Sequence, residues 1–462
     1  MKCKLRIAGV HYEIMQKHLY PGDGKEAIAI ALCGRLKKEN EIIFLIHKIF
    51  PIPYEDCTER DELFLDWKTD KIQPILEEAE KNSYSVLKIH SHPTGIDSFS
   101  KTDDKSDIKF FKSVLGWTLD VDHHLSCIML PGGIIIGRSI DENLSFSDLD
   151  KITVIGDDFV TWENEELIND QDSDANLRNM QAFGNGTIQK LKRLKVAVIG
   201  CSGTGSIVIE QLARLGVGEL VLVDPEKIEK KNLNRIINAT IEDVENERYK
   251  VNILKKAIES FGFGTIVNAF PYNLFDNKQA IKEVAACDVL FGCVDSADGR
   301  HLLNLISNFY LLPLFDIGVR LEADGKGGID SINGTVNYIQ PGRSSLLARG
   351  VYTPEQLQAA GQYRKNPEQY ALLEKEKYLK KVNVDSPAVI SINMFYSCLA
   401  VNDFLARIHP FRIQQNKDCA IQRFVLTEPY FFNESADAVD SFFIKNTGRG
   451  DAEPLLKLPE LS

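Results

Sequence analysis

From residue 195 onward the sequence alternates short, uninterrupted apolar runs with helical stretches, and few architectures satisfy that pattern. Residues 196–199 form one such run, which leads into Gly200-Cys201-Ser202-Gly203-Thr204-Gly205 and then a helical stretch over 206–215. Further runs occupy 220–223, 289–293 and 312–317. A strand with no polar alternation is buried on both faces. Strands that alternate with helices build a doubly wound parallel sheet, a Rossmann-like α/β unit. Strand signals at 334–339 and 423–426 and a closing helix over 390–408 complete it.

The first 145 residues read differently. Strand-like runs at 27–33, 41–50, 85–89 and 126–130 accompany one stretch with helical apolar spacing, 61–83, through Leu63, Trp67, Ile72, Ile75, Leu76 and Ala79. Pro74 is expected to kink or divide that helix. This is an α+β unit. Between the two, the chain turns acidic over 141–174, which reads as a linker or peripheral segment. The expected division is an N-terminal domain over 1–145, an acidic linker over 146–175, and an α/β domain with a C-terminal tail over 176–462.

A net charge of −12 without a Lys/Arg run argues against nonspecific nucleic-acid binding, which needs a basic surface. No apolar stretch reaches the roughly 18–20 residues of a membrane span. The N-terminal apolar stretch is broken by Gly9 and His11 and does not read as a signal peptide. Nine cysteines without C-x-x-C pairs suit reduced thiols in a cytoplasm.

Two constellations carry chemistry. The first is His90-Ser91-His92-Pro93, directly after a strand-like run. Histidines at i and i+2 of a strand share one face, so both rings can reach one ion. Asp103 follows after a loop containing Gly95 and supplies a third ligand. Three protein ligands and one water make a catalytic zinc site, which lowers the water's pKa to about 7. Ser100 is placed to donate to an oxyanion. Asp97, Asp104 and Asp107 read as solvated loop charges, and His123-His124 as surface or packing residues.

His-Ser-His-Pro, Ser100 and Asp103, at this spacing, resemble the JAMM/MPN metallopeptidase signature at every defined position. That resemblance implies zinc and removal of ubiquitin-like proteins from conjugates, or trimming of their precursors. It also implies an upstream glutamate that takes a proton from the zinc water and passes it to the leaving amine. Glu26, opening the apolar run before Gly34, corresponds to that residue, with Glu13 the other candidate. Its separation from Gly34 is one residue longer than in eukaryotic members, a difference a strand bulge would absorb.

The second constellation is the glycine turn. Gly200, Gly203 and Gly205 let the backbone approach a phosphate, and the next helix offers its N-terminal amides. Asp224 ends the second strand, where a carboxylate binds ribose whether the ligand is a nicotinamide cofactor or ATP. Arg235, in Lys231-Asn232-Leu233-Asn234-Arg235, favours ATP, because adenylation needs cations on the triphosphate and departing pyrophosphate. Lys250 offers a phosphate contact and Asp295 a magnesium ligand.

The stretch 178–408 resembles the ThiF-type family, the adenylating domains of ubiquitin-activating enzymes and their bacterial relatives. It does so through the glycine turn, Asp224, Asn232 and Arg235 of an Asn-Leu-x-Arg element, Lys250, and Cys293-Val294-Asp295 followed by Arg300. The resemblance implies ATP-dependent adenylation of the C-terminal glycine of a ubiquitin-like protein. Asp224 would hold the ribose, Arg235 and Lys250 the phosphates, and Asp295 the magnesium. It also implies a homodimer in which Arg178 reaches into the partner's site.

There are departures from the family. Ser202-Gly203 stands where Gly-Gly is common, and Arg248 competes with Lys250. Residues 341–348 lack the paired cysteines of a structural zinc. No cysteine lies in 344–397 to form a thioester. Cys398 reads as core, Cys201, Cys287 and Cys293 belong to the turn and a buried strand, and Cys419 is the remaining candidate.

Together these features suggest a bifunctional enzyme of a bacterial ubiquitin-like pathway, some examples of which serve antiphage defence, with a conjugating enzyme as a further possible partner. The alternatives are adenylation for sulfur transfer or small-molecule biosynthesis, and an inactive scaffold that binds ubiquitin-like folds. The tail, Gly448-Arg449-Gly450-Asp451 then Pro454-Leu455-Leu456, resembles tails of similar peptidase–ThiF fusions, without a physical role legible in its residues.

Overall fold

The computed structural model describes residues 1–163, 173–324, 326–366, 368, 370, 387–436 and 438–461. The chain divides into two compact units: Met1–Glu166 with Asn308–Leu311 and Ile444–Ser462, and Leu167–Ser307 with Leu312–Phe443.

The first unit is built on strands β1 (Lys2–Ala8), β2 (Ile28–Lys38), β3 (Glu41–Pro51), β4 (Cys57–Arg60), β5 (Leu65–Trp67), β6 (Ser85–Ser91), β7 (His123–Met129), β8 (Ile135–Asp141), β9 (Phe146–Asp148), β10 (Lys151–Ile155) and β11 (Phe159–Glu163). Nine of them form one sheet in the order β11-β10-β1-β3-β2-β6-β7-β8-β9, with β4 and β5 a separate hairpin. Both faces of the sheet are covered. Ala29, Ala31 and Cys33 of β2 join a core with Met15 and Leu19 of α1 (Gly9–Leu19). Ile28, Ile30 and Leu32 join the opposite core, with Ile75 and Leu76 of α2 (Gln73–Asn82) and Phe110, Phe111 and Val114 of α3 (Lys101–Trp117). The period-two alternation of a strand thus feeds two cores at once, which is why β2 reads as a continuous apolar run.

Three sequence expectations change here. The helix expected over 61–83 is only α2; Leu65–Trp67 pairs with Cys57–Arg60 instead. Pro74 sits in the first turn of α2, where its missing N–H costs nothing, so it starts the helix rather than kinking it. The acidic segment from 146 to 163 is no linker. β10 pairs in parallel with β1, and β11 pairs antiparallel with β10, burying Ile152 and Val154. Asp150 is a specific acceptor there, taking the Cys3 N–H at 2.7 Å. Residues 164–172 of that acidic stretch lie outside the described residues.

The third change concerns the tail, which belongs to the first unit rather than the second. Gly450 bridges Arg35 in parallel, and the Asp451 N–H donates to the Arg35 carbonyl at 2.8 Å. Thr447 presents its carbonyl to His47 Nδ1 at 2.6 Å. His47 is the extra residue of a bulge in the β2–β3 ladder, between Leu32 and Cys33. The bulge expected to absorb the Glu26–Gly34 spacing is not found on β2: the extra residue stands on β3, and the β2–β6 ladder runs without a shift. Gly34 is required by the close approach: a Cβ there would stand 2.3 Å from the Gly448 carbonyl oxygen. Gly34→Ala is expected to destabilise this unit by at least about 1–3 kcal/mol, the usual cost of overpacking, measured by urea unfolding of the full chain.

The second unit holds β12 (Lys195–Ile199), β13 (Glu219–Val223), β14 (Ile266–Phe270), β15 (Val289–Gly292), β16 (Leu314–Ala323), β17 (Ile329–Ile339), β18 (Ile421–Val425) and β19 (Tyr430–Glu434). Their order is β14-β13-β12-β15-β16-β17-β18-β19. β14 to β16 are parallel, and β16 to β19 are antiparallel. Helix α4 (Ser173–Arg193) precedes β12 and α5 (Gly203–Arg214) follows it. The chain leaves β12 toward β13 and β14, then returns to β15 on the other side of β12. That reversal opens a crevice at the carboxyl ends of β12 and β15, where ligands bind in such sheets. The helix Ile390–Ile408 seats Ser397 on the start of α5, its hydroxyl donating to the Thr204 carbonyl at 3.0 Å. Cys398, expected in the core, is exposed on this helix because the buried stripe runs through Asn393, Tyr396, Ser397 and Ala400. No helix among the described residues is long and apolar enough to cross a membrane.

Candidate metal centre and nucleotide site

β6 is buried along its whole length, and Lys88, His90 and His92 point to the face that α3 covers. Ile28 of β2 stands opposite His90, and Ala27 exchanges hydrogen bonds with Ser91 at 2.9 Å in both directions. One residue further, this register sets Glu26 beside His92 on the same face. Glu26 is 7% exposed and lines one cleft with His90, His92, Ser100 and Asp103.

α3 delivers the third donor. Ser100 caps the helix: its hydroxyl accepts the Asp103 N–H at 3.2 Å, while its own N–H donates to Asp103 Oδ2 at 2.7 Å. This capping box fixes the first turn and points Asp103 inward. His90 Nε2 lies 3.0 Å from His92 Nε2 and 3.2 Å from Asp103 Oδ1, and His92 Nε2 lies 3.9 Å from Asp103 Oδ2. Tetrahedral zinc with bonds of about 2.0–2.2 Å sets its donors about 3.3–3.6 Å apart. The observed separations straddle that spacing. His92 Nδ1 lies 2.8 Å from the Ile96 carbonyl and must donate to it, which leaves Nε2 with its lone pair toward the other donors. Two imidazoles and a carboxylate are a donor set that fits zinc. Among the described residues no second cluster of three such donors occurs.

The electrostatics separate the carboxyls. Burial pushes the Asp103 carboxyl up, but the His90 contact and the Ser100 hydroxyl and amide hold it well below the usual carboxylate range. Glu26 is pushed up to about 8, by burial first and then by the charges of Asp103 and Asp61, with Lys88 pulling the other way. Burial lowers His90, keeping it neutral and able to ligate. In the metal-free chain, folded Glu26 holds a proton that unfolded Glu26 releases above its ordinary 4.5. Stability is therefore lost as pH rises from about 4.5 to about 8. Glu26→Gln should raise the melting temperature of metal-free chain at pH 8 and leave it unchanged near pH 4.5, by calorimetry.

Sequence reasoning missed Lys88, Arg138 and the role of Asp107. Asp107 is not a solvated loop charge: it is fully buried, 2.7 Å from Lys88 and 2.8 Å from Arg138. The available signal was a lysine at i−2 from His90 in an otherwise apolar strand. Asp104 pairs with Arg138 at 2.6 Å, whereas Asp97 is exposed. His124 is a buried packing residue, its Nδ1 accepting the Val86 N–H at 3.0 Å.

In the second unit, Gly205 is required at the turn between β12 and α5, since a Cβ there would stand 1.8 Å from the Gly200 carbonyl oxygen. Asp224, at the end of β13, accepts the Cys201 N–H at 2.7 Å and the Glu226 N–H at 2.8 Å, which ties it to the same turn. Burial raises its carboxyl, opposed by Lys250. Lys250 is buried with its ammonium on Glu226, whereas Arg248 is engaged 2.6 Å from Asp243 and 3.3 Å from Glu242. Lys250, not Arg248, is thus the cation next to Asp224. Arg235 donates to the Lys231 carbonyl at 2.9 Å, and its Cδ lies against Gly203. Asn232 is buried and caps its own short turn, taking the Glu229 N–H at 3.0 Å. Asp295 is exposed on the loop after β15. Arg300 pairs with buried Asp316 at 3.3 Å. Arg178 is exposed and donates to Gln181 at 3.0 Å.

The family model described as the ThiF family matches residues 174–405, half of the chain. The chain belongs to the ThiF family. A second family, described as prokaryotic homologs of the JAB domain, matches residues 10–130, so one chain carries a JAB domain and a ThiF domain. Ubiquitin-like modifier-activating enzyme 5 of Culex quinquefasciatus is 28% identical over 174 residues, covering 35% of this chain and 40% of that protein. Its counterpart in Bombyx mori is 27% identical over 170 residues, again covering 35% and 40%. The chain thus spans about two fifths of the length of these curated relatives. Among solved structures, E. coli MccB with MccA-N7isoASN matches at a TM-score of 0.45 and 18% identity, over 59% of this chain and 74% of that one. PaaA matches at 0.43 and 16%, over 60% and 87%.

Proposed function

We propose that the chain is a bifunctional enzyme of a bacterial ubiquitin-like pathway, with antiphage defence as one setting. The JAB domain trims or deconjugates a ubiquitin-like protein, and the ThiF domain adenylates its C-terminal glycine. The observation that carries this reading is the convergence of His90, His92 and Asp103 beside Glu26 in one cleft, in a chain that also belongs to the ThiF family.

His90, His92 and Asp103 would hold zinc, which when bound polarises a scissile carbonyl and makes water nucleophilic near neutral pH. Glu26 takes the proton from the attacking water in the cleft and passes it to the leaving amine. Its raised pKa suits the second transfer, and a cation at the three donors would draw that pKa down toward the first. The Ser100 hydroxyl, which accepts the Asp103 N–H as it caps α3, turns its one hydrogen from the Asp103 carboxylate to the developing oxyanion.

In the ThiF domain, the Gly200–Gly205 turn cradles ATP phosphate, Asp224 binds ribose, and Lys250 and Arg235 neutralise the phosphates. Asp295 alone suits a magnesium held mostly by phosphates and water. Arg178, exposed at the start of α4, would complete a partner subunit's site in a homodimer. Nine cysteines outside any disulfide support a reducing, cytoplasmic setting.

A second reading keeps the adenylation but passes the acyl-adenylate directly to sulfur or a small amine. It is favoured by the lack of a cysteine in 344–397 and the burial of Cys201, Cys287 and Cys419, and it requires that the exposed Cys398 carry no thioester. The two readings part on product. With a ubiquitin-like protein encoded beside this chain, ATP and a candidate conjugating enzyme, the first predicts an isopeptide and the second a thiocarboxylate, by intact-mass analysis. Neither product, with no cleavage of a C-terminally extended precursor, overturns both.

A further inference from the structure

Lys88, Ser126 and Arg138 stand side by side across β6, β7 and β8, in the row next to the one that holds His90. α3 lies over that row. The Lys88 ammonium donates to Asp107 Oδ1 at 2.7 Å and to the Ser106 hydroxyl at 3.1 Å. Arg138 donates to Asp107 Oδ2 at 2.8 Å and to Asp104 Oδ1 at 2.6 Å. Its guanidinium is held between the rings of Phe99 and Phe146, 3.9 and 3.8 Å from their centroids. Lys88, Asp107 and Arg138 are all buried.

A buried charge triad is a poor way to gain stability, because desolvation cancels most of the attraction. Its geometry is what distinguishes it from apolar packing. Asp107 lies one helical turn after Asp103 and uses both carboxylate oxygens, one on each strand's cation, while Asp104 takes the second arm of Arg138. Four directional contacts from two strands fix the rotation and height of the first turns of α3, which the apolar contacts of Phe110, Phe111 and Val114, further along the helix and without direction, do not specify. Ser100 fixes Asp103 relative to its own helix; this triad fixes the helix relative to His90 and His92.

We propose that Lys88, Asp107 and Arg138 are positioning residues that hold α3 so that Asp103 meets the two histidines, and thereby set metal affinity without touching the metal. This rests on the zinc reading above. The test is a chelator competition with full-length chain, read as zinc affinity, together with the visible spectrum of the cobalt-substituted chain. Arg138→Lys and Asp107→Asn should weaken zinc binding by at least about tenfold, the lower end for supporting shells of metal sites, and should shift the cobalt bands. In an Asp103→Asn background, Arg138→Lys should cost nothing further, because its effect passes through Asp103. If Asp107→Asn does not fold, Asp104→Asn, which leaves the buried triad itself intact and removes only the second contact of Arg138, should still weaken binding several-fold. Folded variants with wild-type affinity and spectrum, or a loss of equal size with and without Asp103, overturn the proposal. Wild-type chain that takes up no zinc overturns the zinc reading itself, a result distinct from either.

Discussion

Replacing His92 with alanine is expected to strip zinc from the JAB domain and reduce peptide-bond hydrolysis to background. Supporting residues around metal sites each contribute about 10–100-fold in affinity, so loss of one of three direct ligands should exceed about 100-fold. His92 stands out because its Nδ1 is committed to the Ile96 carbonyl, which leaves Nε2 as a dedicated donor beside His90 and Asp103. Metal analysis after dialysis against a mild chelator should find one zinc per wild-type chain and none in the variant. Glu26→Gln separates ligation from proton transfer: it should keep the zinc and lose the rate. A His92→Ala chain that still holds one zinc would place the metal elsewhere.

The second large effect belongs to the ThiF domain. Arg235→Ala should lower ATP–pyrophosphate exchange by about 10²–10³-fold, the usual loss when a donor to developing charge is removed. Arg235 is half-buried over Gly203, with a backbone carbonyl and the Asn234 side chain as its acceptors, so its guanidinium is tied to no carboxylate in the described contacts. The loss should fall mainly on kcat, because the charge on the departing pyrophosphate grows in the transition state. Arg248→Ala is the contrast, since that side chain is engaged by Asp243 and Glu242; exchange should stay near wild type. Exchange that survives Arg235→Ala, or falls equally with Arg248→Ala, contradicts the assignment of the phosphate cations.

What could be read from the sequence follows from which contacts are local. The glycine turn, its flanking strand and helix, and the His90–His92 pair are set by period and by neighbours a few residues apart. Ser100 and Asp103 form a capping box, a motif four residues long, so their spacing carried structure as well as chemistry. Long-range contacts were not legible. Residues 146–163 look like an acidic linker until β10 finds β1, some 150 residues earlier. Asp107 looks like a loop charge until Lys88 and Arg138 arrive from two strands. The tail had no role in sequence because its partners, Arg35 and His47, lie about 400 positions away. The 61–83 stretch misled because a hairpin and a helix in series can mimic one apolar period. Cys398 misled because a helix apolar on most sides hides which side is outside.

The most direct test of two activities on one tail uses a ubiquitin-like protein encoded beside this chain, prepared both ending at its glycine and extended beyond it. Wild-type chain with zinc and ATP should give pyrophosphate exchange with both forms, the extended one after a lag in which the extension is cleaved. His92→Ala should exchange normally with the mature form and not at all with the extended one. Exchange by His92→Ala on the extended form, or none by wild type on the mature form, would contradict the proposed cycle.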